Sequence, residues 1–362
     1  MKNKIKLFDP IFGLEEETAI KKTLNSRFWA SGAGTGNVFE FENKFNKYIG
    51  SDCCVAVNSG TAALHLALSL IDIRDKEVIL PSLSFVTTAH AIVYNGGKPV
   101  FVDVDPATMC IDPKKIKKSI TKNTKVILPV HFAGMSCDLD EIMTLCDETN
   151  SVLVEDAAHA AGTVYKNKKI GTHGTAICFS FHPVKNLAMP TGGAITLNGK
   201  NTEKFKKILH SRRWCGISNR KGVKYDVNEL GWNYYMNEFS AAIGLEQLKK
   251  LDYLNNKRKE IANRYSKEIE VTMKMSYDKE CSYHFYWILV KKRDEFMKKM
   301  SENNIETGIH YQPIHKLGFY KQKSNLPNTD MISKQIVSIP IHPNLTDSQV
   351  NKIIKLTNRF SQ

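Results

Sequence analysis

Between residues 50 and 200 the chain alternates short, apolar, β-branched runs with helix-patterned stretches. This alternation constrains the fold more than any other feature. The expected strands are Cys53–Val57, Glu77–Leu80, Pro99–Val102, Lys125–Pro129, Ser151–Glu155, Ala176–Phe179 and Ala194–Leu197. Most are apolar throughout, as strands covered on both faces must be. Helices are expected between the early ones, at Thr61–Ile71, Val86–Asn95, Pro113–Ile120 and Leu139–Glu148. The class that results is α/β, a mostly parallel seven-stranded sheet clad by helices, with ligands expected at the carboxyl ends of the strands.

After Asn237 the pattern changes. A long helical stretch from about Glu238 through Glu268, interrupted near Asp252, leads to a strand at Tyr286–Val290 and helices at Asp294–Asn303 and Ser348–Arg359. We read this as a smaller C-terminal α+β domain, with the large domain at 1–250 and the small one at 251–362. The chain has 362 residues, more than the roughly 250–300 that one core usually serves.

The balance of residues narrows the partners. Net charge is +14. No arginine-rich tract, helix-turn-helix or RNP signature accompanies it, so nucleic acid is not expected. Dispersed lysines suit solvated helix faces, and a positive field attracts an anionic substrate. No apolar run approaches the ~20 residues of a membrane span, so no membrane partner is expected. Eight cysteines are scattered without CxxC or zinc spacing. They read as reduced small hydrophobes of a cytoplasmic protein, with no metal site expected.

Several residues at strand ends carry chemistry. Asn58-Ser59-Gly60-Thr61 follows a strand and opens a helix; free backbone N–H groups there, approached closely at Gly60, make a phosphate seat. Pro81 to Thr88 repeats the strand-to-helix pattern and places Phe85 where it can lie against a ring. Asp156 ends an apolar strand, where a carboxylate is costly unless paired. His159 follows three residues later. Ser180 and Lys185 lie in Ser180-Phe181-His182-Pro183-Val184-Lys185-Asn186, just before Gly192-Gly193. A lysine amine can form an imine with an aldehyde cofactor while an acid holds the cofactor's ring nitrogen protonated, so this order of residues suggests a pyridoxal phosphate (PLP) site. Each residue also has an ordinary structural explanation; the order and spacing together favour the site.

The same landmarks resemble the DegT/DnrJ/EryC1/StrS sugar aminotransferases, of the aspartate aminotransferase-like fold. They include Val102-Asp103-Val104-Asp105, Glu155-Asp156-Ala157-Ala158-His159-Ala160 and Gly231-Trp232-Asn233-Tyr234. The resemblance implies that Lys185 bonds covalently to PLP and moves the substrate proton, while Asp156 pairs with the ring nitrogen. It implies that Phe85 stacks on the ring, that His159 lies close to it, and that Gly60, Thr61 and Ser180 hold the phosphate. It further implies a homodimer with shared active sites, in which Asn233 reaches the neighbouring subunit's cofactor. His310 and Tyr311 match a segment near the substrate, and Arg212 and Arg213 are further candidates for substrate phosphates. The implied reaction moves an amino group from L-glutamate to the ketone of a nucleotide-linked deoxysugar, the cofactor alternating between PLP and pyridoxamine phosphate (PMP). Thr191 stands where the family commonly has Glu, and Tyr235 where it commonly has Arg. Two alternatives are a keto-sugar dehydratase of the same fold, against which Lys185 argues because related dehydratases carry His there, and a non-catalytic regulatory protein.

Overall fold

The computed structural model describes residues 4–321 and 324–361. After an extended N-terminal strap come helices α1 (Leu14–Ser26) and α2 (Asn37–Ile49), then β1 (Cys53–Val57), α3 (Gly60–Ser69), β2 (Glu77–Pro81), α4 (Thr87–Tyr94), β3 (Lys98–Val102), α5 (Pro113–Ser119), β4 (Thr124–Ile127), α6 (Leu139–Thr149) and β5 (Val152–Asp156). A two-residue ladder, β6 (Val164–Tyr165) with β7 (Lys168–Lys169), precedes β8 (Ala176–Ser180) and β9 (Gly193–Leu197). Next are α7 (Thr202–Arg212) and an exposed hairpin, β10 (Ile217–Lys221) with β11 (Lys224–Val227). The C-terminal part holds α8 (Glu238–Glu268), β12 (Tyr286–Leu289), α9 (Arg293–Glu302), α10 (Pro327–Gln335), β13 (Ile336–Ile339) and α11 (Asp347–Phe360).

The seven expected strands form one sheet in the order β1-β9-β8-β5-β4-β2-β3. Every neighbouring pair is parallel except the two that β9 makes, with β1 and with β8. The two-residue period of a strand explains the unbroken apolar runs. Val55, Leu80, Val154 and Cys178 point into the core under α3 and α4. Their neighbours Ala56, Ile79, Leu153 and Ile177 point into the opposite core with Phe41, Phe45 and Ile142. The same alternation sends Glu155 and Asp156 to opposite faces of β5.

α8 runs for 31 residues without the expected interruption near Asp252. The polar run there has modest helix propensity, but Leu251, Leu254, Asn255 and Arg258 are buried along one side, and Asp252 accepts a hydrogen bond from Tyr48 Oη at 2.5 Å. Tertiary packing outweighs propensity. The expected division at 250/251 therefore falls inside a continuous helix rather than in a linker. Beyond α8, a two-stranded antiparallel ribbon, β12 with β13, packs against α9 and α10, and α11 packs on α9. The N-terminal strap is stitched to this region: Ile5 N donates to Asn304 O at 2.8 Å, Glu306 N donates to Ile5 O at 2.9 Å, and Phe8 stacks on His284 at 5.4 Å.

Candidate active site

Because β1, β2, β5 and β8 run the same way, their carboxyl ends meet at one edge of the sheet. A cavity of about 310 Å³ opens there, lined by Gly60 and Thr61 after β1, Phe85 after β2, Asp156 and His159 from β5 onward, and Ser180 and Lys185 from β8 onward. Ser59 caps α3 by accepting from Ala62 N at 3.1 Å, which fixes the turn that delivers Gly60 and Thr61. Gly60 is required by contact: a Cβ there would lie 2.7 Å from Ser180 Cβ. The same cradle continues at Gly193, where a Cβ would lie 2.4 Å from Ser59 O.

Asp156 is 4% exposed. One carboxylate oxygen accepts from Thr88 Oγ1 at 2.8 Å, and the other accepts from Ala158 N at 3.1 Å. Burial pushes its pKa up, partly countered by those two hydrogen bonds and by Lys185. An ionised carboxylate held this way favours a cationic group in the cavity. Glu155, on the other face of the strand, is occupied by His131 Nε2 at 2.9 Å and by Gly174 N at 2.5 Å.

Lys185 sits in the loop between β8 and β9. Its residue surface is half-buried, because it faces the open cavity, but its amine lies deep among protein atoms. That desolvation lowers the amine pKa from 10.5 to about 8, opposed by the charge of Asp156. Its Nζ lies 3.4 Å from His284 Nε2. His284 also packs on His159, with ring centroids 4.6 Å apart. Burial first, then the nearby Lys185, holds both imidazoles well below the ordinary histidine range, so they are neutral. His159 Nε2 meets Tyr311 Oη at 3.0 Å, and its Nδ1 has no protein partner. Phe85 is 54% exposed, its ring 5.9 Å from Tyr311. An exposed aromatic, an orphaned imidazole nitrogen and a buried carboxylate lining one cavity suit a flat heteroaromatic ring with an acceptor-rich tail.

The structure thus brings Gly60, Thr61, Phe85, Asp156, His159, Ser180, Lys185 and Tyr311 to one cavity. His310 lies behind Tyr311, stacked on Phe285 at 4.6 Å with Nδ1 on Ser338 Oγ at 2.8 Å. Burial lowers its pKa to about 4. Asn233 is exposed and outside the cavity wall. Arg212 and Arg213 are also elsewhere: Arg212 Nε donates to Glu229 at 2.8 Å, and Arg213, fully buried, pairs with Glu42 and donates to Ala56 O at 2.8 Å. Two contributors were missed. Thr88 lies in the quoted Pro81–Thr88 stretch, three residues past Phe85 on the entering helix, which was its only signal. His284 lies in an aromatic run with no motif of its own. A larger hollow of about 870 Å³ between α1, α2 and α8 includes none of these residues.

Known proteins share this architecture over nearly their whole length. The chain is 35% identical over 369 residues to the spore coat polysaccharide biosynthesis protein SpsC of Bacillus subtilis (strain 168), covering 96% of this chain and 94% of that protein. It superposes with a TM-score of 0.94 and 26% identity on the PMP form of the putative sugar aminotransferase Spr1654 from Streptococcus pneumoniae, covering 99% of this chain and 98% of that one. It also superposes on Helicobacter pylori PseC, an aminotransferase involved in the biosynthesis of pseudoaminic acid, with a TM-score of 0.92, 25% identity and 99% of each chain covered. Residues 10–357 match a single family throughout, and the protein belongs to it: the DegT/DnrJ/EryC1/StrS aminotransferase family.

Proposed function

We propose that the protein moves an amino group from L-glutamate to the keto group of a nucleotide-linked deoxysugar, in the biosynthesis of an amino sugar or surface polysaccharide. The observation that carries this reading is the convergence of Lys185 and Asp156 on one cavity. Sugar aminotransferase activity follows from the family. The cofactor is PLP, exchanging with PMP, the forms in which Spr1654 has been solved. The cofactor supplies an electron sink that stabilises a carbanion next to nitrogen.

The chain's own residues divide the remaining work. Lys185 Nζ is the covalent attachment point and the base that takes and returns the substrate proton. With its pKa near 8, a useful fraction is neutral at pH 7. Asp156 presents a fixed negative charge to the ring nitrogen, oriented by Thr88 and Ala158 N. The N–H groups that open α3 hold the phosphate with Thr61 and Ser180, at the approach that Gly60 permits. Phe85 covers a ring face, and Tyr311 steers His159 through the hydrogen bond between them.

The nucleotide linkage is supported by the net charge of +14, which favours an anionic substrate. A homodimer is supported by Asn233, which is exposed and lies outside the wall of the cavity that holds Lys185 and Asp156, as a residue acting in a partner's site would be. It is also supported by Phe12, Phe28, Trp29 and Phe39, which are 42–74% exposed near the N-terminal helices. Among the described residues no helix is long and apolar enough to cross a membrane.

The test is a panel of nucleotide keto-sugars with glutamate, read by mass spectrometry for the aminated product. Borohydride reduction of the cofactor-loaded protein should fix the cofactor's mass on the peptide containing Lys185, and Lys185→Ala should abolish turnover. A label on another peptide, or a fully active Lys185→Ala enzyme, overturns the assignment.

A further inference from the structure

Lys185 and His284 stand on segments that the fold pins to each other. Asn186, next in the chain to Lys185, donates from Nδ2 to Ser282 O and to Asn255 Oδ1, each at 2.8 Å. Ser282 Oγ donates to His159 O at 3.2 Å, and His284 N donates to Ala133 O at 2.9 Å. The His284 ring is 3% exposed and packs on both Phe8, at 5.4 Å, and His159, at 4.6 Å. Its Nε2 lies 3.4 Å from Lys185 Nζ. Among the described residues this is the only hydrogen-bond partner of that amine.

Below pH 8 the amine is an ammonium, with three N–H donors and no lone pair. A neutral imidazole facing it accepts through Nε2 and carries its own proton on Nδ1. His284 Nδ1 has no protein partner, so no other protein group imposes the opposite tautomer. We propose that His284 is a positioning residue for Lys185: it receives the amine through Nε2 whenever the cofactor does not hold it, and gives the ammonium formed by proton uptake an acceptor already in place. This rests on the reading of Lys185 as the base. A hydrogen bond to the charged form favours that form, so His284 strengthens the base that burial weakens.

The test is acetylation of the cofactor-free, full-length protein with acetic anhydride from about pH 6 to 11, read by mass spectrometry on the peptide containing Lys185. Only the neutral amine reacts, so the rate profile gives its midpoint, expected near pH 8. The other groups around the two side chains keep their charge there. Asp9 and Asp156 are anions, His159, His310 and His342 are held below the ordinary histidine range, Tyr311 is pushed above its own, and the Arg258 guanidinium keeps its proton. His284→Phe keeps a flat ring against Phe8 and His159 but removes the acceptor, and should lower the midpoint by ~1 unit. His284→Gln restores an acceptor without the ring and should return it to within ~0.3 unit of the unaltered protein. A ring needed only for packing gives the reverse order. An unchanged midpoint in His284→Phe overturns the proposal, as does an equal shift in both variants. The labelling needs no substrate, so its failure is distinct from an error in the base assignment, which the borohydride label decides. If neither variant folds, the nitrogen-15 shifts of His284 in the unaltered protein decide instead. A bare Nε2 with a protonated Nδ1 at about pH 7 supports the proposal, and a proton on Nε2 overturns it.

Discussion

The lowered pKa of Lys185 makes a quantitative prediction about folding. The amine's ordinary value is 10.5, and in the folded protein it is about 8. Below pH 8 both folded and unfolded chains carry the proton, and the folded state bears the full penalty of holding it away from water. As pH rises from 8 to 10.5 the folded chain has shed the proton while the unfolded chain still binds it, so stability rises. The gap corresponds to about 3 kcal/mol of folding free energy. Replacing Lys185 by methionine, similar in shape and uncharged, should therefore stabilise the cofactor-free protein at pH 7, and that advantage should shrink by about 2–3 kcal/mol by pH 10. Methionine's own packing contribution does not depend on pH and cancels in this difference. The neighbouring rings of His159, His284 and His310 have pKa values pushed below the ordinary histidine range, and Tyr311 is pushed above its own, so none titrates in this window. The assay is urea unfolding of both proteins, followed by tryptophan fluorescence at each pH. An advantage that stays constant within ~1 kcal/mol from pH 7 to 10 would refute the reasoning.

Three further outcomes are expected. Gly60→Val should drive a side chain into Ser180 and weaken cofactor binding ~10–100-fold, the loss of one charge-assisted hydrogen bond to phosphate; a spectrophotometric cofactor titration with unchanged affinity would contradict the seat. Asp156→Asn should lower turnover by ~100-fold or more while borohydride still labels Lys185; activity within tenfold of the unaltered enzyme would remove Asp156 from its role. Glu155→Leu leaves the His131 Nε2–H and the Gly174 N–H without an acceptor in the core and should destabilise by about 2–5 kcal/mol; an unchanged melting curve by circular dichroism would show that the buried pair is dispensable.

The seven-stranded sheet was legible because its short, β-branched apolar runs are bounded by Gly, Pro and polar residues and alternate with longer helix-patterned stretches. The site was legible for a related reason: it is assembled from strand ends, and each strand end carried a small or polar residue that the preceding run made conspicuous. What escaped lacked such contrast. α1 buries Glu16 and Thr23 rather than an apolar stripe. It is held through polar contacts such as Gln247 Nε2 to Glu16 at 2.7 Å and Lys250 Nζ to Glu16 at 2.9 Å, so hydrophobic periodicity gives no sign of it. Arg213 looks like any surface cation in the sequence; its partner Glu42 lies 171 positions away and is brought near only by folding. The continuity of α8 past Asp252 depends on packing along one side, which local propensity does not encode.

The strap at residues 5–9 bears on how the protein is handled. Ile5 pairs with backbone on both sides of Ile305, and His342 Nε2 donates to Lys6 O at 3.1 Å. Phe8 then stacks on His284, the ring that contacts the reactive amine. A purification handle fused ahead of Ile5 pulls on a segment only a few residues from that ring, whereas one fused after α11 does not. Kinetic comparisons between laboratories should therefore use carboxyl-terminal tags or cleaved protein.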